Sequence, residues 1–161
     1  MTDHLIEIVF KNIPTKKIGR LFTHLIGKGN IITNYSITIE HSEIKWNVET
    51  IQSIFDKNKD FGLFINLNAL QTGKIELPNC GLSIYKYEDT IDLEINFQLS
   101  DLGTISLQSL AKSLMEFAKS IADQYQIDEY LCGLEPAHDP KTRLFTNGKL
   151  GPCGFVDGRP N

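Results

Sequence analysis

The sequence predicts an α+β fold in which an antiparallel, or mixed, sheet of about six strands packs against two or three helices. Several short stretches alternate apolar and polar residues, as half-buried strands do. Others place apolar residues three and four positions apart, as one face of a helix does. The longest helical pattern, 106–126, follows a run of strand patterns, and this arrangement is typical of the α+β class.

The length and composition fit one domain at 1–152, followed by a flexible C-terminal tail at 153–161. Of the 161 residues, 41% are hydrophobic and 22% are charged, as in an ordinary globular protein. Apolar runs are too short to span a membrane, and the first residues lack the basic start of a secretory signal. Three widely spaced cysteines argue against a disulfide framework. We therefore expect a cytoplasmic protein with no membrane segment.

The individual elements follow from these periodicities. Strand patterns, either alternating or short and apolar, occur at 5–10, 35–39, 62–67, 74–77, 82–87, 90–99 and 129–133. Helical patterns occur at 15–26, 49–57 and 106–126. Ser106 is a suitable cap for the longest helix, and its apolar stripe is complete, so we expect it to be the main helix of the core.

Three connections depend on finer signals. Gly29 and Asn30 predict a turn after the first helix, and Pro78 to Gly81 predict another between strands 74–77 and 82–87. Residues 43–57 admit two interpretations: a short strand at 43–46 before the helix, which we favour, or a helix that begins earlier.

The segment 136–161 has no hydrophobic period. It holds four of the six prolines and four of the twelve glycines, so the sequence predicts a loop there. Packing of Leu144, Phe145 and Leu150 on the domain would order it.

Strand 90–99 divides most clearly into two faces. Its apolar face carries Ile91, Leu93, Ile95, Phe97 and Leu99. Its polar face carries Asp92, Glu94, Asn96 and Gln98. This strand lies in a region, 61–130, with four basic and ten acidic residues. Such an excess of acid disfavours nucleic-acid binding and fits a basic protein partner. The alternative is a solvated surface that only maintains solubility.

A second group of chemically capable residues lies between Cys132 and Arg143. It contains the side chains of Glu135, His138, Asp139 and Arg143. Cys132 and His138 are the types needed for a nucleophile and its base, if the fold brings them into contact. The alternative is a structural loop, with a turn at Asp139 and with Arg143 paired to Glu135 or Asp139. No second histidine lies near His138, so we expect no metal site, and we expect no cofactor.

The stretch from Glu129 to Pro152, EYLCGLEPAHDPKTRLFTNGKLGP, resembles the C-terminal part of small bacterial immunity proteins. These are encoded beside polymorphic toxins used in contact-dependent and type VI competition. The resemblance implies a cytoplasmic protein that binds one toxin and blocks its active site. Immunity proteins span unrelated folds and share no functional motif, so the resemblance assigns no role to any residue.

The sequence thus favours a non-enzymatic binding protein that neutralises a toxin with a basic surface. The candidate binding residues lie on strand 90–99 and in the loop after Cys132: Asp92, Glu94, Asn96, Glu135, His138, Asp139 and Arg143. The alternatives are a small thiol-dependent enzyme that uses Cys132 and His138, and a structural or assembly protein. A homodimer is left open.

Overall fold

An eight-stranded antiparallel sheet forms one layer of the protein, and three helices form the other. The computed structural model describes residues 4–27, 30–156 and 159–160. The strands are β1 (Leu5–Pro14), β2 (Ile32–Ile37), β3 (Phe61–Gln71), β4 (Glu76–Tyr87), β5 (Thr90–Gln98), β6 (Glu129–Leu134), β7 (Arg143–Thr146) and β8 (Lys149–Leu150). The helices are α1 (Ile18–Ile26), α2 (Val48–Lys57) and α3 (Leu107–Tyr125). The predicted α+β class with an antiparallel sheet is confirmed, with more strands than the six expected.

The order of the strands differs from their order in the chain at one place. Across the sheet the order is β2-β3-β4-β5-β1-β6-β7-β8. Strands β2 to β5 are consecutive neighbours, and so are β6 to β8. Strand β1 lies between these two groups and pairs antiparallel with both β5 and β6. The N-terminal strand therefore joins two meanders into one sheet.

One face of the sheet is covered by the helices and carries the core. Ile6, Ile8 and Phe10 of β1 are fully buried on this face. The apolar side chains of β5 join them in the same core: Ile91, Leu93, Ile95 and Phe97. The predicted division of strand 90–99 into two faces is therefore correct. Leu99 also packs against this core and is partly buried, although the strand ends at Gln98 and a short 3₁₀ turn begins at Leu99.

Helix α3 is the main helix of the core, as predicted. The Ser106 hydroxyl caps it by accepting a hydrogen bond from the Ser109 N–H at 3.1 Å, which satisfies one of the free donors of the first turn. Its buried residues are Leu110, Ala111, Leu114, Ala118, Ile121 and Ala122. Gln126 ends the helix in the left-handed conformation. None of the described helices is long and apolar enough to cross a membrane.

The two shorter helices also lie where they were predicted. Helix α1 follows a 3₁₀ turn at Thr15–Lys17 and ends at Gly27, whose φ of 66° favours glycine. Helix α2 is capped by Asn47, which accepts from the Thr50 N–H at 2.8 Å. The predicted turn at Gly29 and Asn30 falls partly outside the described residues, because Gly29 is not among them.

The predicted strand at 43–46 is wrong. These residues have no regular structure, although Ile44 is buried and the Trp46 ring stacks on Phe22 with 5.8 Å between centroids. The apolar alternation at this point reflects two side chains packing onto the helices. It does not reflect pairing within a sheet.

The predicted break between strands 74–77 and 82–87 is also wrong. Strand β4 continues through Pro78, which lies opposite Ala69 of β3. Strand β5 pairs with β4 only from Gly81 onward, so Pro78 has a neighbouring strand on one side only. A proline is tolerated there because no second strand needs its missing N–H. The turn lies earlier, where the Thr72 N–H donates to the Ile75 carbonyl at 2.9 Å.

The C-terminal segment contains more structure than the predicted loop. Strands β7 and β8 extend the sheet, and Leu144 and Phe145 are fully buried. Further on, β9 (Phe155–Val156) pairs with β10 (Arg159–Pro160), and Phe155 is buried. Residues 157, 158 and 161 of the expected tail lie outside the described residues. The flexibility of that tail stays a prediction.

A buried lysine donates hydrogen bonds to carbonyl groups at the C-terminal end of helix α2. Only 5% of Lys86 is exposed, and its ammonium donates to the carbonyls of Phe55 and Asn58. The neighbouring carbonyl of Ile54 accepts from the Asn58 amide at 2.8 Å. The last carbonyls of a helix lack partners within the helix, and a cation at this end is favourable.

We expect Lys86→Met to lower the free energy of unfolding by roughly 1–3 kcal/mol, because it leaves buried carbonyls without a donor. Urea unfolding followed by circular dichroism measures the loss. Lys74→Met is the matched control: Lys74 is an exposed lysine whose ion pair with Glu116 contributes little. Equal stabilities of the two variants would contradict the capping role of Lys86.

Candidate protein-binding face

The sheet face away from the helices, called the open face here, carries a polar surface whose geometry follows from the strand register. Glu7 of β1 lies between Asn96 of β5 and Gly133 of β6. Glu94 lies opposite Ser83 of β4 on one side and Val9 of β1 on the other. In an antiparallel pair, opposite residues point to the same face. The carboxylates of β5 and β1 therefore share one surface.

The loop at 135–142 folds over the open face beside these carboxylates. Ala137 is fully buried against Val9 and Leu131, the outward apolar residues of β1 and β6. The Ala137 N–H donates to the Glu7 carboxylate at 3.1 Å, and the Glu135 N–H donates to the Leu5 carbonyl at 2.9 Å. The loop therefore forms one wall of the surface that contains Glu7.

Three carboxylates form what we call the acidic cluster: Glu7, Asp92 and Glu94. All three are half-buried, and the ion pairs among the described residues join other side chains: Lys11–Glu129, Lys74–Glu116 and Lys119–Asp123. Burial raises the pKa of Glu94, and the charges of Glu7 and Asp92 raise this pKa further, while His138 opposes the shift. The charge of Glu94 therefore disfavours the folded state at neutral pH.

The structure brings the predicted strand and loop residues together. Asp92, Glu94 and Asn96 lie half-buried on the open face, and His138 is exposed close enough to act on the charge of Glu94. The two groups that the sequence offered separately, the acidic strand and the loop after Cys132, thus form one continuous surface. Glu135 and Asp139 are exposed on the same loop.

Two of the predicted residues also organise the loop. Arg143 donates from Nε to the Ala137 carbonyl at 3.2 Å and from Nη2 to the His138 carbonyl at 3.3 Å. The Asp139 carboxylate accepts from the Lys141 N–H at 2.9 Å. The suggested ion pair of Arg143 with Glu135 or Asp139 is absent from the described residues, and the carbonyl contacts hold the loop in its place.

Glu7 is the one member of the cluster that sequence reasoning missed. Alternation in strand 5–10 does put Glu7 on the polar side, so a local signal existed. Nothing in the sequence placed β1 next to β5, however, and only that pairing makes Glu7 a neighbour of Asn96.

The pairing of Cys132 with His138 as nucleophile and base is wrong. Cys132 lies opposite Ile8 and Phe145, on the face covered by the helices, and is fully buried. His138 belongs to the loop on the open face. Burial raises the pKa of the Cys132 thiol far above its usual range, which opposes formation of a nucleophilic thiolate. The described residues also contain no group of three or more His, Cys, Asp or Glu side chains arranged to hold a metal ion.

Comparison with known families identifies this chain as a bacterial immunity protein. The chain belongs to the PABL017 Cdi1I immunity protein family, whose model matches residues 4–150. The resemblance of residues 129–152 to immunity proteins therefore indicated the right class of protein.

A solved structure shares the fold. The chain is similar to a chain in the crystal structure of the toxic C-terminal tip of CdiA from Pseudomonas aeruginosa in complex with immune protein, with a TM-score of 0.80 and 23% sequence identity. The match covers 94% of this chain and 99% of that chain. A search of curated proteins found no match.

We expect one of the three thiols to react with a disulfide reagent in the native protein, and all three after unfolding. Cys80 and Cys132 are buried, with the pKa of Cys80 raised to about 12, whereas Cys153 is half-buried. Thiol titration in buffer and in denaturant gives the counts, and Cys153→Ser should abolish the native reaction. Native labelling of Cys132 would restore the thiol-enzyme hypothesis.

We expect Glu94→Gln to raise the melting temperature at neutral pH by a small amount, roughly 1–3 °C. The raised pKa of Glu94 means that its charge disfavours folding above that pKa and has no effect below the ordinary pKa of glutamate. The gain should therefore disappear as the pH falls to that ordinary range. Melting curves across this pH range test the claim, with Glu40→Gln, an exposed carboxylate, as control. A destabilised Glu94→Gln variant at neutral pH would contradict it.

Proposed function

We propose that this protein neutralises a CdiA-type toxin in the cytoplasm by binding it directly through the open face, without catalysing a reaction. The proposed contact residues are the predicted set together with Glu7: Asp92, Glu94, Asn96, Glu135, His138, Asp139 and Arg143. The observation that carries the proposal is the acidic cluster, whose half-buried carboxylates form no ion pair among the described residues.

The energetics of the cluster support a cationic partner. Like charges on neighbouring strands repel one another, and burial makes the repulsion stronger than it would be in water. A surface that served only solubility would place its carboxylates apart and fully in water. A lysine or arginine of a toxin would relieve the repulsion on binding, and basic side chains that approach an acidic surface accelerate association.

The other features of the chain fit a binding role. The inaccessible position of Cys132 removes the one nucleophile that the sequence suggested. The three free cysteines fit a reducing compartment such as the cytoplasm. A homodimer through the open face would bring two acidic clusters together, so we assign that face to the toxin.

Charge reversal at Asp92 and Glu94 tests the proposal. We expect D92K/E94K to weaken binding of the toxin domain encoded beside this chain by about 100-fold at low ionic strength, mainly by slowing association. The difference should shrink when the salt rises from about 50 mM to about 500 mM, because salt screens the attraction. Surface plasmon resonance at both salt concentrations measures the rates.

The matched control is E40K/E43K, which makes the same change in net charge at two exposed carboxylates between β2 and α2. It should bind nearly as wild type does. If both double variants lose affinity equally, net charge alone governs binding and the open face is not the site. If wild type itself does not bind, the proposed partner is wrong.

A further inference from the structure

A row of carboxamide side chains crosses the open face at right angles to the strands. We call it the transverse row, and the register defines its members from β2 to β5: Asn34, Asn66, Gly81 and Asn96. Each member lies directly opposite the next. The row carries amide groups and no charge, and Glu7 of the acidic cluster lies beside its last member, opposite Asn96.

Contacts within the sheet define where the amides of the row lie. The Asn66 Nδ2 donates to the Asn34 Oδ1, which joins two neighbouring strands. The Asn96 side chain lies over Gly81: a β-carbon at position 81 would lie 2.6 Å from the Asn96 Oδ1, closer than packing allows. Glycine at this position therefore lets the Asn96 amide lie across β4 towards Asn66. The hydrogen bond between Asn66 and Asn34 fixes the direction of their remaining donor and acceptor groups.

We propose that the transverse row determines which toxin this protein accepts, by hydrogen bonding to polar groups of the toxin that covers the acidic cluster. This inference rests on the proposed function. Asn96 is continuous with the cluster, since it is the cross-strand neighbour of Glu7 and lies two positions from Glu94.

The size of a protein interface makes contact with the row unavoidable. Neighbouring strands lie about 4.8 Å apart and residues along a strand about 3.4 Å apart, so Asn66, two strands and two positions away from Glu94, is roughly 12 Å from it. A standard interface covers about 800 Å² on each partner, which is roughly 30 Å across. A toxin centred on the acidic cluster therefore covers Asn96 and Asn66 and reaches the neighbourhood of Asn34.

Amide side chains that are covered by a partner limit which partners can bind. A carboxamide that loses water must find a donor and an acceptor, and a partner without them leaves it unsatisfied. A basic surface of the wrong shape would still be attracted by the cluster but would meet this penalty at the row. The row therefore discriminates between toxins, whereas the cluster attracts them.

Asn66→Leu tests the inference because it removes the amide without changing the charge or the approximate shape. We expect the Kd for the adjacent-gene toxin domain to rise roughly 10- to 100-fold, mainly through faster dissociation. The factor should be the same at low and high salt, in contrast to that of D92K/E94K. Gln124→Leu, which removes an exposed carboxamide from helix α3, should bind as wild type does.

Gly81→Ala provides a second test that keeps every amide and only displaces Asn96. It should weaken binding in the same salt-independent way, and it decides the question if Asn66→Leu does not fold. Wild-type affinity in the folded variants at both salt concentrations would overturn the inference. Loss of binding in these variants with full binding by D92K/E94K would support the row and overturn the electrostatic proposal. Absence of binding by wild type would overturn both.

Discussion

The central position of strand β1 is the constraint on which the rest of the structure depends. Strands β2 to β5 and β6 to β8 are each built from neighbours in sequence, and β1 alone holds the two groups in one sheet. Its pairing with β6 joins residues more than a hundred positions apart, so closing the chain has a large entropic cost. Full burial of Ile6, Ile8 and Phe10 against the helices offsets that cost. The same pairing brings the strand of Glu94 next to the loop of His138.

The helices cover only one face of the sheet, so the residues that stabilise the fold and the residues proposed to bind a partner lie on opposite faces. Apolar side chains of the strands and helices form a single large cluster on the covered face. Two lysines help to complete that layer: Lys86 at the end of α2, and Lys17, whose ammonium donates to the Tyr125 carbonyl at the end of α3. With stability supplied there, the open face can carry charges that oppose folding. A cost of this kind is common at sites that serve binding.

Local periodicity predicted the elements that are long enough to show it. Helix α3 and strand β5 each carry a complete apolar pattern, and both were found within a residue or two of their predicted limits. Strands β7 and β8 have four and two residues, too few for an alternation to be recognised. The predicted turn at Pro78 is wrong because proline is also tolerated within a strand where no second strand pairs with it.

Only the part of the candidate site that lies along a single strand was predictable from the alternation of apolar and polar residues. That Asp92, Glu94 and Asn96 share a face follows from the period of two along one strand. Glu7 joins them through the pairing of the N-terminal strand β1 with β5, which no local pattern encodes. The error at Cys132 and His138 has the same origin, because proximity in sequence says nothing about which side of a sheet each residue occupies.

The division of the open face into charged and neutral parts has a physical consequence for recognition. Coulomb attraction is long-ranged and non-directional, so an acidic cluster alone would accept many basic surfaces. Hydrogen bonds are short-ranged and directional. A donor or acceptor that finds no partner on the toxin costs free energy once water has left the interface. Because Asn96 lies beside Glu7, the contact that neutralises the charge also removes water from the amides. Attraction and discrimination are therefore coupled in one docking event, and a toxin must satisfy both to remain bound.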